Sequence, residues 1–341
     1  MTTDLAQSER ILVTGGAGFI GNEVARQLTA AGHQVVVLDN LANGKLANLA
    51  DVADDVEVVV GDIRDDSVTG ELMARVDRVF HLACLGVRHS LHDPFDNHEV
   101  NATGTLRLLQ LAQRSDVARF VTISSSEVYG TAQWAPMTEQ HPTFPMTVYG
   151  AGKLAGECYT RAFHSSYDMA TVVVRPFNSF GPRSHHEGDS GEVIPKFMLR
   201  SMVGLPMVIF GDGTQTRDFT FVTDTARGVI LSGFSDEAIG ETINLGQGRE
   251  ITINELATTV AAVTGASDAL VRHDPPRPGD VLRLCSDSTK AINLLGFEPA
   301  TSLRDGLQQL HGWYLESGST PEELLVDERV HNWIQPADHH G

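Results

Sequence analysis

The chain has 341 residues, 41% of them apolar, and a formal net charge of −19. That length accommodates one large α/β unit or two intimately joined domains with an ample core. The charge argues against nucleic acid or an anionic membrane as the main partner, because both would repel it, and it obliges any anionic substrate to rely on a few placed arginines.

Met1 to Arg10 is polar, with neither the basic nor the apolar segment of a secretory signal, and no apolar run reaches bilayer length, so a cytoplasmic protein is expected. The next residues, Ile11-Leu-Val-Thr-Gly15-Gly-Ala-Gly18-Phe19-Ile20-Gly21, form an apolar strand running into glycines spaced three apart. Gly15 permits a tight turn, Gly18 lets the backbone approach a pyrophosphate, and Gly21 lets the following helix pack on the strand. A helix opening at Phe19 and Ile20 would aim its first N–H groups at phosphates. About twenty residues on, His33-Gln-Val-Val-Val-Leu-Asp39 reads as a second buried strand ending in an acid, where a dinucleotide fold holds its adenosine ribose. Asp39 would repel a 2′-phosphate and no arginine follows it, which favours NAD over NADP.

Further strands are predicted at Val56 to Val60, Arg78 to Leu82, Arg119 to Ile123 and Thr171 to Arg175, alternating with helical periodicity at Glu99 to Arg114 and Val148 to Phe163. Such alternation implies a doubly wound parallel sheet. After Arg175 come Pro176, Pro182, Pro195 and Pro206, and the polar stretch Ser184 to Glu192 reads as a mobile loop. Two later helices, Thr252 to Thr264 and Ser302 to Leu315, belong to a smaller lobe that would close over the sheet edge and form a substrate pocket.

The three cysteines, Cys84, Cys158 and Cys285, have no metal or redox spacing and are expected to be reduced, buried thiols. No acid or cysteine completes a metal site around His89, His92, His98 or His185-His186. No metal is expected.

The chemistry concentrates in Ser124-Ser125-Ser126-Glu127-Val-Tyr129-Gly, after a buried strand, and in Tyr149-Gly-Ala-Gly-Lys153, which opens a helix. Tyr149 and Lys153 at i and i+4 share a helix face. A phenol with a pKa of about 10 is a poor base, but a nearby ammonium and an oxidised nicotinamide would favour the phenolate. Tyr149 would then take an alcohol proton while hydride leaves for NAD, with Ser125 bonded to the reacting oxygen and Lys153 holding the nicotinamide ribose.

Taken with Gly61-Asp62-Ile63-Arg, Asn101-Ala-Thr-Gly-Thr105, Arg175-Pro-Phe-Asn178, Gly211-Asp-Gly-Thr-Gln-Thr-Arg217-Asp218 and Arg277-Pro-Gly-Asp280, these motifs resemble the extended short-chain dehydrogenase/reductases that act on nucleotide sugars. The similarity runs over roughly residues 10 to 315. It implies an α/β fold with a Rossmann-type doubly wound parallel sheet over residues 8–180 and a smaller C-terminal α/β substrate lobe over 181–330, some segments of which return to the Rossmann domain. It implies a retained NAD and a homodimer built from two helices per subunit. It places Asp62 at the adenine, with Ile63 also at the cofactor and Asn40, Asn43, Leu82, Ala83 and Asn101 around the dinucleotide. Arg88, Asn178, Arg217 and Arg277 then face the substrate, a nucleotide diphosphate sugar and best a UDP-sugar.

The shared first step of that family is oxidation of the sugar C4 hydroxyl, and three outcomes diverge from the ketone: epimerisation at C4, elimination of the C6 hydroxyl, or loss of carbon dioxide from a uronic acid. Glu127 could deprotonate C5, position water, or merely hydrogen-bond behind the site. Ser126 departs from the aspartic acid of the best-known hexose dehydratases. Leu38-Asp-Asn-Leu-Ala-Asn-Gly44 and Arg277 to Asp280 resemble the 4-epimerases, and the stretch from Leu82 to Arg88 differs from that of decarboxylases. A UDP-hexose 4-epimerase is the expectation, followed by a 4,6-dehydratase and a UDP-glucuronate decarboxylase. An NAD-sensing regulatory protein on the same fold is the alternative outside enzymes.

Overall fold

The computed structural model describes residues 8–188, 190–266, 270–277 and 281–333. The first seven residues, Asp189 in the Ser184 to Glu192 stretch, and Pro278-Gly-Asp280 of the motif after Arg277 lie outside the described residues.

A seven-stranded sheet carries the fold. Its spatial order is Thr242–Leu245, Thr171–Pro176, Arg119–Ile123, Arg78–His81, Arg10–Thr14, Gln34–Asp39 and Val56–Val60, and every neighbouring pair is parallel. Strands such as Gln34-Val-Val-Val-Leu-Asp39 are nearly all apolar because both sheet faces are covered. Ile11, Val13, Phe80 and Val121 pack with the helices Phe19–Ala30 and Val222–Phe234 on one face, while Leu12, Val36, Val79 and Phe120 pack with Thr105–Arg114 on the other. Each fully buried side chain of this kind contributes about 1.5–3 kcal/mol.

The chain order reverses between Arg10–Thr14 and Arg78–His81, neighbours in the sheet that lead to opposite halves. Ligand crevices form outside the carboxyl ends of strands at such a switch point. The glycine turn follows the first of these strands and Leu82-Ala83 follows the second.

The expected helix Glu99 to Arg114 is present, but its first part, Glu99–Gly104, is wound as a π-helix before the α-helix Thr105–Arg114. Thr242–Leu245 and Val222–Phe234, which the sequence pattern did not single out, belong to the main sheet and its cover. Among the described residues the remaining strands form three two-stranded pairs. They surround a separate apolar cluster that includes Phe180, Phe197, Met198, Ile209, Leu256 and Leu307. Two helices here are capped by the residues the sequence put first in them: Thr252 accepts from Glu255 N and Ser302 accepts from Asp305 N.

Candidate active site

The glycine turn is dictated by space. Gly15 has φ +70° and a Cβ on it would lie 2.6 Å from Ala83 N, while a Cβ on Gly21 would lie 2.1 Å from Gly15 O. Only glycine fits either place. Gly18 stands at the N-cap of Phe19–Ala30 without a capping side chain, so the helix start faces the cleft with backbone alone.

Asp39 ends its strand 8% exposed; its carboxylate accepts from Ala17 N at 2.9 Å and Leu41 N at 2.8 Å. It therefore holds the turn in shape as well as facing the cleft. Asn40 donates to Asp62 at 3.0 Å, and Arg64 clasps the same carboxylate through Nε and Nη2 at 2.9 and 2.8 Å. The Arg64 hydrogen bond holds the Asp62 carboxyl well below the usual carboxylate range, against its partial burial.

The strand Arg119–Ile123 delivers the serines. Ser124 donates to Glu157 at 2.5 Å, and Ser125 accepts from Glu127 N at 3.2 Å, shaping the single 3₁₀ turn Ser126–Val128. The helix Val148–Tyr167, capped by Thr147 accepting from Gly150 N, brings up Tyr149 and Lys153. Lys153 is 6% exposed, donates to Ile123 O at 2.8 Å, and has its Nζ 6.0 Å from the Tyr149 ring centroid.

Burial pushes the Tyr149 phenol above the usual tyrosine range. Cys84, Glu127 and Glu192 add to that rise, and a hydrogen bond with Ser125 opposes it. Glu192 is itself unusual: burial, with Glu187 adding, pushes its carboxyl up to about 7 although His185 pulls it down. Beneath the site, burial and the Lys153 charge hold His81 down to about 3, so it is neutral between Thr14 Oγ1 at 2.8 Å and Thr105 Oγ1 at 3.0 Å.

The stretch 184–192, expected as a mobile loop, is tied at several points. Glu187 pairs with Lys45 at 2.6 Å, Ser190 donates to Asn43 at 3.3 Å, and Glu192 N donates to His185 O at 2.8 Å. A partly exposed ion pair and its neighbouring imidazoles hold what its polar, glycine-bearing composition left open.

The reactive groups share one cleft of about 1480 Å³. Gly15, Gly18, Phe19, Ile20, Gly21, Asp39, Asn40, Asn43, Asp62, Ile63, Leu82 and Ala83 line one end. Ser125, Ser126, Glu127, Tyr149 and Lys153 line the middle, with Arg88, Asn178, Arg217 and Arg277 beyond. Asn101 is not among the lining residues. Its amide, 1% exposed in the π-helix, bonds to Leu85 N at 3.1 Å and Leu85 O at 2.9 Å, so it supports the segment below the cleft. Asn178 Oδ1 is buried and has no hydrogen-bond partner among the described residues, an acceptor facing a place where a ligand donor fits.

Lys196 and Arg200, which the sequence pattern did not mark, also line this end. Burial and the charges of Arg88, Arg277 and Arg200 bring the Lys196 ammonium down to about 8, although Glu328 opposes them. The cation cluster in a chain of charge −19 is the local exception an anionic substrate requires. The cysteines depart from expectation: Cys285 is buried, but Cys84 is exposed in the cleft wall and Cys158 on the outer side of its helix, within 3.4 Å of Arg161 Nη2.

A switch-point cleft with a glycine cradle at one end, a Ser-Tyr-Lys set in the middle and cations beyond defines a dinucleotide-dependent α/β enzyme of the extended short-chain dehydrogenase/reductase class. The chain belongs to the family described as GDP-mannose 4,6 dehydratase, whose model matches residues 12–310. It is 39% identical over 303 residues to a UDP-glucose 4-epimerase of Mycolicibacterium smegmatis, covering 87% of this chain and 96% of that one. The fold superposes with TM-score 0.86 and 33% identity on UDP-glucose 4-epimerase of Thermotoga maritima solved with UDP-glucose, covering 91% and 100% of the two chains. It matches a dTDP-glucose 4,6-dehydratase of Streptomyces venezuelae solved with NAD at TM-score 0.84 and 35% identity, covering 90% and 97%. The chain is thus an enzyme of the nucleotide-sugar epimerase/dehydratase type. No helix among the described residues is long and apolar enough to cross a membrane.

Proposed function

We propose that this protein is an NAD-dependent nucleotide-sugar 4-epimerase acting on a UDP-hexose. The observation that carries the reading is the convergence of Ser125, Tyr149 and Lys153 with the glycine cradle on one cleft. The residues fit the cofactor: glycines at positions where a Cβ would strike backbone, a helix start aimed at phosphates, and the Asp39 carboxylate at the end of its strand.

When bound, NAD supplies reversible hydride acceptance at the sugar C4. Tyr149 takes and returns the proton of the C4 hydroxyl, Ser125 hydrogen-bonds that oxygen, and Lys153 biases the phenol toward its anion and orients the ribose. Burial holds the Tyr149 phenol above the usual tyrosine range, and positive charge beside it, from Lys153 and from an oxidised nicotinamide, would oppose that effect and favour proton abstraction. Arg217 and Arg277 receive the diphosphate, with Arg88 and Asn178 at the rest of the nucleotide sugar. Ser126 offers a hydroxyl, not a carboxyl, beside Ser125, which supports return of hydride to the sugar over expulsion of its C6 hydroxyl. The assembly proposed is a cytoplasmic homodimer.

One observation favours a second reading, a 4,6-dehydratase. Glu127 and Glu192 both line the cleft and both act on Tyr149, so a carboxylate base and a carboxylic acid stand near one reaction centre. Incubation with UDP-glucose, UDP-N-acetylglucosamine and their TDP counterparts, read by mass spectrometry and proton NMR, separates the two. Unchanged mass with inverted C4 establishes the epimerase; loss of water establishes the dehydratase.

A further inference from the structure

The family match ends at residue 310, yet the chain continues across the substrate end of the cleft. After the helix Leu303–Glu316 and the turn Pro321–Leu324, residues 325–333 run back along the helix Val193–Met202 and the 184–192 stretch. The docking is specific at every step. Gly188 N donates to Asp327 O at 2.8 Å, Arg200 pairs with Glu328 at 2.5 Å with both side chains under 10% exposed, and Lys196 donates to Arg329 O at 2.7 Å. At its end Trp333 stands edge-on to Phe210 at 4.6 Å, and the Arg277 guanidinium lies over both rings at 5.2 and 5.7 Å.

Asn332 joins the two walls. It is 3% exposed, donates from Nδ2 to Gly191 O at 3.1 Å, and accepts from Arg88 Nε at 3.2 Å. Arg88 belongs to Val87–His92, at the end of the central strand Arg78–His81, so this one amide ties the sheet side of the cleft to the loop and to the C-terminal segment. Glu328, Val330 and Asn332 themselves line the cleft. Two of the guanidiniums at the substrate end, Arg88 and Arg277, are thereby oriented by residues beyond the family match.

We propose that residues 326–333 are a lid over the nucleotide-sugar end of the cleft, with Asn332 as its latch and Trp333 as its anchor. The inference rests on the nucleotide-sugar reading above. The lid completes the wall that holds the nucleoside diphosphate and keeps Arg88 and Arg277 turned toward it. A buried amide bonded to a guanidinium and a carbonyl is a fitting latch because its loss removes one hydrogen bond from each wall while the apolar core is untouched.

The test uses the full chain with Asn332→Ala and, separately, Trp333→Ala. UDP, TDP and GDP are titrated calorimetrically, and steady-state kinetics follow with the nucleotide sugar that turns over. The expected result is a Kd for the nucleoside diphosphate and a KM raised roughly tenfold in each variant, with kcat and melting temperature close to the parent. Unchanged affinity in both variants overturns the lid. Tighter binding overturns it too, since the segment would then be competing with the ligand. A parent that binds none of the three nucleotides overturns the nucleotide-sugar reading and the lid's ligand with it.

Discussion

Lys153 and Tyr149 stand one helical turn apart, and the ammonium that lies 6.0 Å from the phenol ring is fixed from behind by Ile123 O at 2.8 Å. The cation is thus held in place by the last residue of the strand that also delivers Ser125. Tyr149→Phe should lower kcat/KM by about 10²- to 10⁴-fold, the range for loss of a positioned acid–base group. UDP affinity and melting temperature should stay near the parent values. Steady-state kinetics beside calorimetry checks this, and normal turnover in the variant would remove the mechanism.

Glu192 bears on the same phenol. Burial pushes its carboxyl up to about 7, so it passes from neutral to charged near physiological pH, and its negative charge then makes Tyr149 harder to ionise. Activity that needs the phenolate rises as pH increases through the Tyr149 pKa. Glu192→Gln removes a charge that raises that pKa, so the rising limb of the kcat/KM profile should move to lower pH. Glu127→Gln should move it in the same direction. A profile that does not shift in Glu192→Gln would show that the two groups are uncoupled in the working enzyme.

The strands were legible because both faces of the sheet are buried, which writes them as unbroken apolar runs between turn residues. Thr242–Leu245 escaped that rule. It is four residues long and carries Asn244, fully buried, which accepts from the Tyr129 hydroxyl at 2.7 Å and donates to Met137 O at 2.9 Å. A polar side chain satisfied only by distant partners looks like a loop residue in sequence. The glycine turn and the tyrosine–lysine pair were legible for the opposite reason, since each is set by local spacing. What sequence could not show was long-range: Asn101 turned toward Leu85 by the π-helix, Glu192 brought beside Tyr149, and Asn332 bonded to Arg88 across 244 positions.

The serines rest on a buried ion pair. Glu157 is fully buried, Arg175 is 4% exposed, and they meet at 2.5 Å, with Ser124 also donating to Glu157 and Arg175 to the Tyr129 hydroxyl. Breaking such a pair on one side leaves a charge buried alone, at a cost of about 3–5 kcal/mol. Glu157→Ala should show that loss in urea unfolding. The double variant Glu157→Leu/Arg175→Met should lose less than the single change, because no lone charge is left. A single variant within about 1 kcal/mol of the parent would mean that the pair is not holding the floor of the site.

His81 makes a prediction about acid. In the folded chain burial, with Lys153 adding, holds its imidazole down to about 3, while in the unfolded chain it returns to about 6.5. The folded pKa is the lower one, so the contribution to stability is complete above the unfolded value and is lost as pH falls from 6.5 toward 3. Between pH 7 and pH 4 the loss is about 3 kcal/mol from this group alone. Approaching the sequence pI of about 5.0 relieves charge repulsion over the same range and works the other way. The informative quantity is therefore the difference between the parent and His81→Asn. The variant should start less stable at pH 7, having lost a ring bonded to both Thr14 and Thr105, and the gap should narrow as the buffer is taken to pH 4. Parallel stability curves for the two proteins over that range would mean that His81 is not the neutral, buried imidazole described above.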